Sequence, residues 1–211
     1  MLEINIITLF PKLFEEFKNV LPFNRAIKNN LIKLNIINLK DFSLDERGTV
    51  DDKPYGGGTG MILRPEPLFN ALNSIKNKEE VIALTPKGET FNQKTAFDLS
   101  KKNSLTFICG RYEGIDQRII DNMTTKEISI GNFVCAGGEA PAITILESIV
   151  RLLPGILEEE VIQKESFSEE TLEHPQYTRP EVFNNWKVPE VLISGNHKEI
   201  ENWKKENSKK I

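Results

Sequence analysis

Five short runs dense in isoleucine, leucine and valine recur through the first two thirds of the chain, and their spacing limits the folds open to it. LEINIITL (2–9), LIKLNIINL (31–39), EVIALT (80–85), SLTFICG (104–110) and KEISIG (126–131) have the length and composition of strands. Helical patterns separate most of them. That alternation predicts an α/β fold, a parallel sheet covered by helices on both faces. The clearest helix follows residue 141, where Ala142, Ile143, Leu146, Ile149, Val150 and Leu153 recur at three- and four-residue steps and Pro154-Gly155 ends the run.

The length of 211 residues suits one domain of ordinary size plus a smaller appendage, and 39% apolar with 27% charged residues is a folded, soluble composition. The N-terminal apolar run is short, carries Glu3 and lacks a basic leader, so it reads as the first strand. No stretch approaches the roughly 18 apolar residues that cross a bilayer. No membrane partner is therefore expected. Cys109 and Cys135 sit in apolar surroundings that suit small buried side chains, which excludes a disulfide framework and points to the cytoplasm. His174 and His197 have no second ligand at metal spacing, so no metal site is expected from them.

The net charge of −4 argues at first against a nucleic-acid partner. Residues 158–173 hold seven glutamates and one lysine, however, and the rest of the chain is slightly basic. Overall sign decides nothing. This acidic stretch has no sustained periodicity, which predicts a mobile linker over 158–170 between a domain at 1–157 and a C-terminal piece at 171–211 too small to hold its own core. Trp186 and Trp203 are expected to be packing residues of that piece, and the lysines of KKENSKKI either solvate a helix end or meet phosphates.

Three glycine-bearing loops are placed where open α/β sheets bind ligands: DDKPYGGGTGM (51–61), CGRYEGID (109–116) and SIGNFVCAGGEAPA (129–142). The first lacks the Gly-Lys-Ser/Thr ending of a phosphate-binding P-loop. In the second, Arg111, Tyr112, Glu113 and Asp116 are either ligand groups or solvated charges at a strand end. The third carries almost no ionisable group before Glu139, which suits a flat neutral ring such as adenine. Arg151, near the end of the apolar helix, is where the helix dipole favours a cation in any case.

Together, TVDDKPYGGGTGM, ICGRYEGID, SIGNFVCAGGEAPA, RLLPGIL, HPQYTRPEV and LISGNH follow the order and near-spacing of one family. The chain resembles the bacterial tRNA (guanine-N1)-methyltransferases, the TrmD family of the SPOUT superfamily. The resemblance implies a parallel sheet with a C-terminal trefoil knot, a homodimer, and a small C-terminal tRNA-binding domain that is shortened here. It implies methyl transfer from S-adenosylmethionine to N1 of guanine 37 in tRNAs with guanine at position 36, with magnesium as a possible requirement whose site is unknown.

By motif, the donor contacts implied are Leu84, Thr85 and Pro86, then Gly110, Tyr112 and Gly114, then Ile130, Gly131, Phe133, Cys135, Gly137, Gly138 and Pro141. Glu113 and Gly60 correspond to positions that meet the guanine, and Arg151 to the arginine that stabilises charge on O6. Glu165 stands where the family usually has the aspartate that acts as general base from the other subunit. Asn132-Phe133 replaces the usual Asp-Tyr, and Lys204 and Lys205 replace arginines. Two other readings share these motifs: an RNA-binding protein that holds the donor with little or no turnover, and a ribose 2'-O-methyltransferase.

Overall fold

The computed structural model describes residues 1–167 and 171–210, and the chain divides into two units, Met1–Ile156 and Leu157–Ile211. In the first unit all five predicted runs are strands: β1 (Leu2–Thr8), β2 (Ile32–Asn38), β3 (Glu80–Thr90), β4 (Ser104–Cys109) and β5 (Lys126–Ser129). They form one sheet in the order β2-β1-β4-β3-β5, and every neighbouring pair is parallel. Helices α1 (Lys12–Phe17), α2 (Phe23–Lys28), α3 (Pro65–Ser74), α4 (Gln93–Ser100), α5 (Gln117–Met123) and α6 (Glu139–Val150) supply the covering layers.

Adjacent residues of β1 tell which helices lie on which face, because successive side chains point to opposite sides of a strand. Ile7 joins Ile108 of β4 and Val81 of β3 in a buried cluster with Leu68, Ala71 and Leu72 of α3 and Ile119 of α5. Thr8 instead reaches Glu139, the first residue of α6. α3 and α5 therefore cover one face and α6 the other, where it contacts α1, α2 and α4. Local signals start several helices: Pro65 opens α3, the Asn92 side chain caps α4 by accepting from Thr95 N–H at 2.9 Å, and Asp116 caps α5 by accepting from Arg118 N–H at 3.0 Å.

α6 departs from its predicted stripe. Ile145 is fully buried while Ile143 is only half-buried, and the helix ends at Val150 rather than beyond Leu153. Tighter i→i+3 bonds from Leu152 N–H to Ile149 O and from Leu153 N–H to Val150 O close it, and Leu153 is buried from the following turn. β3 is longer than predicted and interrupted. Leu84 and Glu89 both pair with Ile128 of β5, so residues 85–88 bow out of the ladder. Gly88 makes this possible, because a Cβ there would collide with the backbone of Glu127 and Ile128.

A polar ladder crosses the otherwise apolar sheet at one register level. Asn35 Nδ2 donates to Asn5 Oδ1 at 2.8 Å, and Asn5 Nδ2 donates to Thr106 Oγ1 at 3.3 Å. Asn5 and Thr106 are buried, so the ladder supplies hydrogen bonds that water cannot. Replacing Asn5 with alanine is expected to cost about 2 kcal/mol in a urea melt, the sum of a small cavity and unsatisfied buried groups. A change under half that value would mean that the ladder contributes little.

The second unit holds α7 (Glu159–Lys164), α8 (Glu190–Ile193) and α9 (His197–Asn207), with two-residue ladders pairing Val182–Phe183 with Trp186–Lys187 and Thr171–Leu172 with Lys209–Lys210. Part of the stretch predicted as linker is thus helical. Glu159 and Glu160 in the first turn of α7 complement the helix dipole, a favourable placement the composition alone obscured. Residues 168–170 of that stretch lie outside the described residues. Trp203 packs as expected, with ring contacts to His174 at 5.9 Å and Tyr177 at 6.3 Å. Trp186 does not: it is 70% exposed beside Phe183, because left-handed Asn184 and Asn185 close a hairpin that leaves both rings on its surface.

Candidate functional site

The bow in β3 and the carboxyl ends of β4 and β5 open into a cavity of about 300 Å³. Its floor is Leu84 and the bowed Thr85-Pro86, one wall is the segment 110–115, and the other runs from Phe133 to Gly138 and ends at Pro141 in the first turn of α6. Backbone groups stitch the walls together. Gly138 N–H donates to Gly110 O at 2.8 Å, and Arg111 forms an antiparallel bridge with Gly137. The approach is so close that a Cβ on Gly138 would stand 2.7 Å from Cys109 Cα and 2.9 Å from Gly110 N.

Of the residues expected to surround a donor, Leu84, Thr85, Pro86, Gly110, Tyr112, Gly114, Ile130, Phe133, Cys135, Gly137, Gly138 and Pro141 lie on this lining. Gly131 does not. It takes φ +148° in the turn after β5, where its N–H donates to Ser129 Oγ at 3.2 Å, its carbonyl accepts from the same hydroxyl at 3.0 Å, and the Phe133 ring packs against it. Lys87, Gln117 and Glu127 also line the cavity, unheralded by any motif.

Gly60 and Glu113, expected on the guanine side, are brought together. Glu113 lines the cavity, its N–H donates to Met61 O at 2.9 Å, and its side chain occupies the space a Cβ on Gly60 would need. Gly60 also has φ +90°, which favours glycine twice over. Arg151 is not brought to the cavity. It caps the C-terminal end of α6, ten residues beyond Pro141, or roughly 15 Å along the axis at 1.5 Å per residue. Glu165 caps the C-terminal end of α7 in the second unit.

Both cysteines are free, but only Cys109 is buried; Cys135 is partly exposed because the 133–138 segment faces the cavity rather than the core. Burial, aided by the nearby Glu139 charge, pushes the Cys109 thiol well above its ordinary range, so it stays protonated. Glu139 is the residue the sequence most undersold. It is 1% exposed, accepts from Thr8 Oγ1 at 2.8 Å and pairs with Arg111 Nε at 2.8 Å. Among the described residues no group of three or more His, Cys, Asp or Glu lies together to hold a metal ion, so no magnesium position emerges. Nor is any helix among them long and apolar enough to cross a membrane.

Glycine loops and a helix N-terminus walling a cavity at the ends of parallel strands define an α/β protein with its cavity where open sheets of this class bind ligands. The sequence pattern described as "tRNA (Guanine-1)-methyltransferase TrmD" matches residues 2–211. A protein of Dictyoglomus turgidum named tRNA (guanine-N(1)-)-methyltransferase is 48% identical over 212 residues, covering 100% of this chain and 86% of the relative. Proteins of the same name are 50% identical in a Sulfurihydrogenibium species, with 97% and 82% covered, and 46% identical in Clostridioides difficile, with 98% and 92% covered. The chain belongs to the TrmD family of tRNA (guanine-1)-methyltransferases.

Proposed function

We propose that this protein is an enzyme that transfers the methyl group of S-adenosylmethionine to N1 of guanine in tRNA, at guanine 37 where position 36 is also guanine. One observation carries the reading: motif segments far apart in sequence converge on a single cavity at the strand ends, lined mostly by apolar side chains and backbone, with Lys87, Arg111, Glu113 and Glu127 as its charged groups. Such a lining fits an adenine ring and thioether chain, which need hydrogen bonds and shape more than countercharge. In this reading the fold is of the SPOUT type, and the segment 129–138 belongs to a trefoil knot. Its lacing to the segment after β4 by the Arg111–Gly137 bridge and the Gly138–Gly110 bond supports that assignment.

When bound, S-adenosylmethionine supplies a methyl carbon whose bond to sulfur breaks as guanine N1 takes it, the electron pair returning to sulfur. The chain must do the rest. N1 of neutral guanine carries a proton, so a base has to remove it, and Glu165 takes it on its carboxylate. Negative charge then grows on O6, where the Arg151 guanidinium stabilises it. Glu113, held over Gly60, accepts from the N1–H and N2 edge of the base. In this reading the protein is a homodimer in which a second chain completes the site with Glu165. No step is assigned to magnesium.

Residues 171–211 act in this account as a tRNA-binding domain joined by the linker 158–170, and Lys204 and Lys205 in the last turn of α9 reach phosphate as point charges. In this reading the protein works in the cytoplasm, alongside its tRNA substrate. The test is a single-turnover reaction of the full chain with methyl-labelled donor and unmodified tRNA carrying guanine at positions 36 and 37, read by mass spectrometry of nucleosides. The expected product is 1-methylguanosine. A 2'-O-methylated nucleoside, or no product at saturating protein, overturns the proposal.

A further inference from the structure

We propose that Glu139 is a positioning residue that, through Arg111, sets the separation of the two walls of the donor cavity. The proposal rests on the reading of that cavity as the donor site and goes beyond it, since Glu139 is not on the lining. Its carboxylate is buried and both oxygens are engaged, Oε1 by Thr8 Oγ1 at 2.8 Å and Oε2 by Arg111 Nε at 2.8 Å. Arg111 then extends the connection. Its Nη1 donates to Ala136 O at 3.3 Å, its guanidinium carbon stands 4.3 Å from the centre of the Phe10 ring, and its stem lies against Gly137, where a Cβ would collide with it.

One carboxylate and one guanidinium thus tie three separate segments: the end of β1, the wall after β4, and the wall that leads into α6. Simple stability does not account for the pair. Burying the Glu139 carboxylate against a partly exposed Arg111 costs desolvation that their attraction only roughly offsets, so an apolar residue of similar volume at 139 would hold a core about as well. What a charge pair with fixed hydrogen-bond directions adds is one defined geometry, here between walls whose spacing decides whether the donor fits. Glutamine at 139 keeps the shape but can accept only with its single amide oxygen. With that oxygen on Arg111, the glutamine NH₂ faces Thr8, whose hydroxyl already accepts from Phe10 N–H at 2.9 Å and has to turn round to accept again, and Arg111 loses the charge of its partner.

The test measures the dissociation constant of S-adenosylhomocysteine and the methyl-transfer parameters of the full-length protein. Glu139→Gln is expected to raise that constant and the donor KM at least tenfold, with kcat reduced less than threefold and the tRNA KM unchanged. Thr8→Val, which removes at nearly constant shape both the bond to Glu139 and the one that Thr8 Oγ1 accepts from Phe10 N–H, is expected to weaken donor binding about threefold. Adding Arg111→Gln to Glu139→Gln should weaken binding no further than the larger single effect, because the two residues act as one unit. Arg111→Lys, which keeps the charge but not the fork, should recover part of the loss relative to Arg111→Gln.

Lower melting temperatures with donor affinity unchanged within twofold in both Glu139→Gln and Thr8→Val would overturn the proposal. So would additive losses in the double variant. If Glu139→Gln does not fold, Thr8→Val alone decides by the same criterion. Failure of the wild-type protein to bind S-adenosylhomocysteine would instead strike the reading of the cavity itself.

Discussion

Replacing Gly138 with alanine is expected to weaken donor binding at least a hundredfold while leaving the sheet intact. The added Cβ would stand 2.7 Å from Cys109 Cα and 2.9 Å from Gly110 N, and backbone atoms on β4 cannot turn aside as a side chain does. The φ of −79° at Gly138 is open to alanine, so the effect is collision and not backbone strain. Relief requires α6 to back away from β4, stretching the 2.8 Å bond from Gly138 N–H to Gly110 O and splaying the walls of the cavity. A displacement near 1 Å is enough for losses of about two orders of magnitude in a positioned site, while overpacking itself costs about 1–3 kcal/mol. Titration calorimetry with S-adenosylhomocysteine and a thermal melt separate the two effects. Gly155→Ala is the control: it too introduces strain, at φ +86°, but meets no atom within 4 Å, so it should lower stability and leave donor affinity alone. Equal donor affinity in Gly138→Ala and wild type would show that the cavity does not hold the donor.

The second large effect is expected at Glu165. Glutamine there keeps size and polarity but cannot accept the guanine proton as a carboxylate does. Single-turnover methyl transfer should slow by about 10²- to 10⁴-fold, with the dissociation constants for donor and tRNA changed less than threefold. Glu165→Asp, one methylene shorter, should retain measurable activity because the carboxylate survives. A Glu165→Gln variant as fast as wild type would remove Glu165 from the reaction.

Much of the sheet was legible because five runs of strand length and composition are a local signal, and all five form strands. Their order was not. Placing β4 between β1 and β3 is decided by packing between distant segments, and nothing within SLTFICG encodes its neighbours. The stripe of α6 slipped because Ile143 and Ile145 both fit an apolar helix, and only contact with the sheet chooses between them. The residues expected around a donor came from the family resemblance that the glycine-bearing motifs carry, and all of them but Gly131 line the cavity. Glu139 was not legible, since its partners are 28 and 131 residues away and a buried carboxylate looks locally like any acid at a helix start. Exposed Trp186 and half-buried Cys135 were misjudged for the same reason: composition reports affinity for a core, not access to one.

The account depends on a site shared between two chains, and mixed dimers test this most directly. Gly138→Ala chains carry an intact Glu165, and Glu165→Gln chains carry an intact cavity, so co-refolding the two inactive variants in equal amounts makes hybrids among the dimers. If cavity and base come from different chains, each hybrid contains one fully intact site, and the mixture should recover about one quarter of the wild-type rate of 1-methylguanosine formation. A mixture as inactive as either variant alone, with hybrid dimers demonstrated by mass spectrometry, would contradict it.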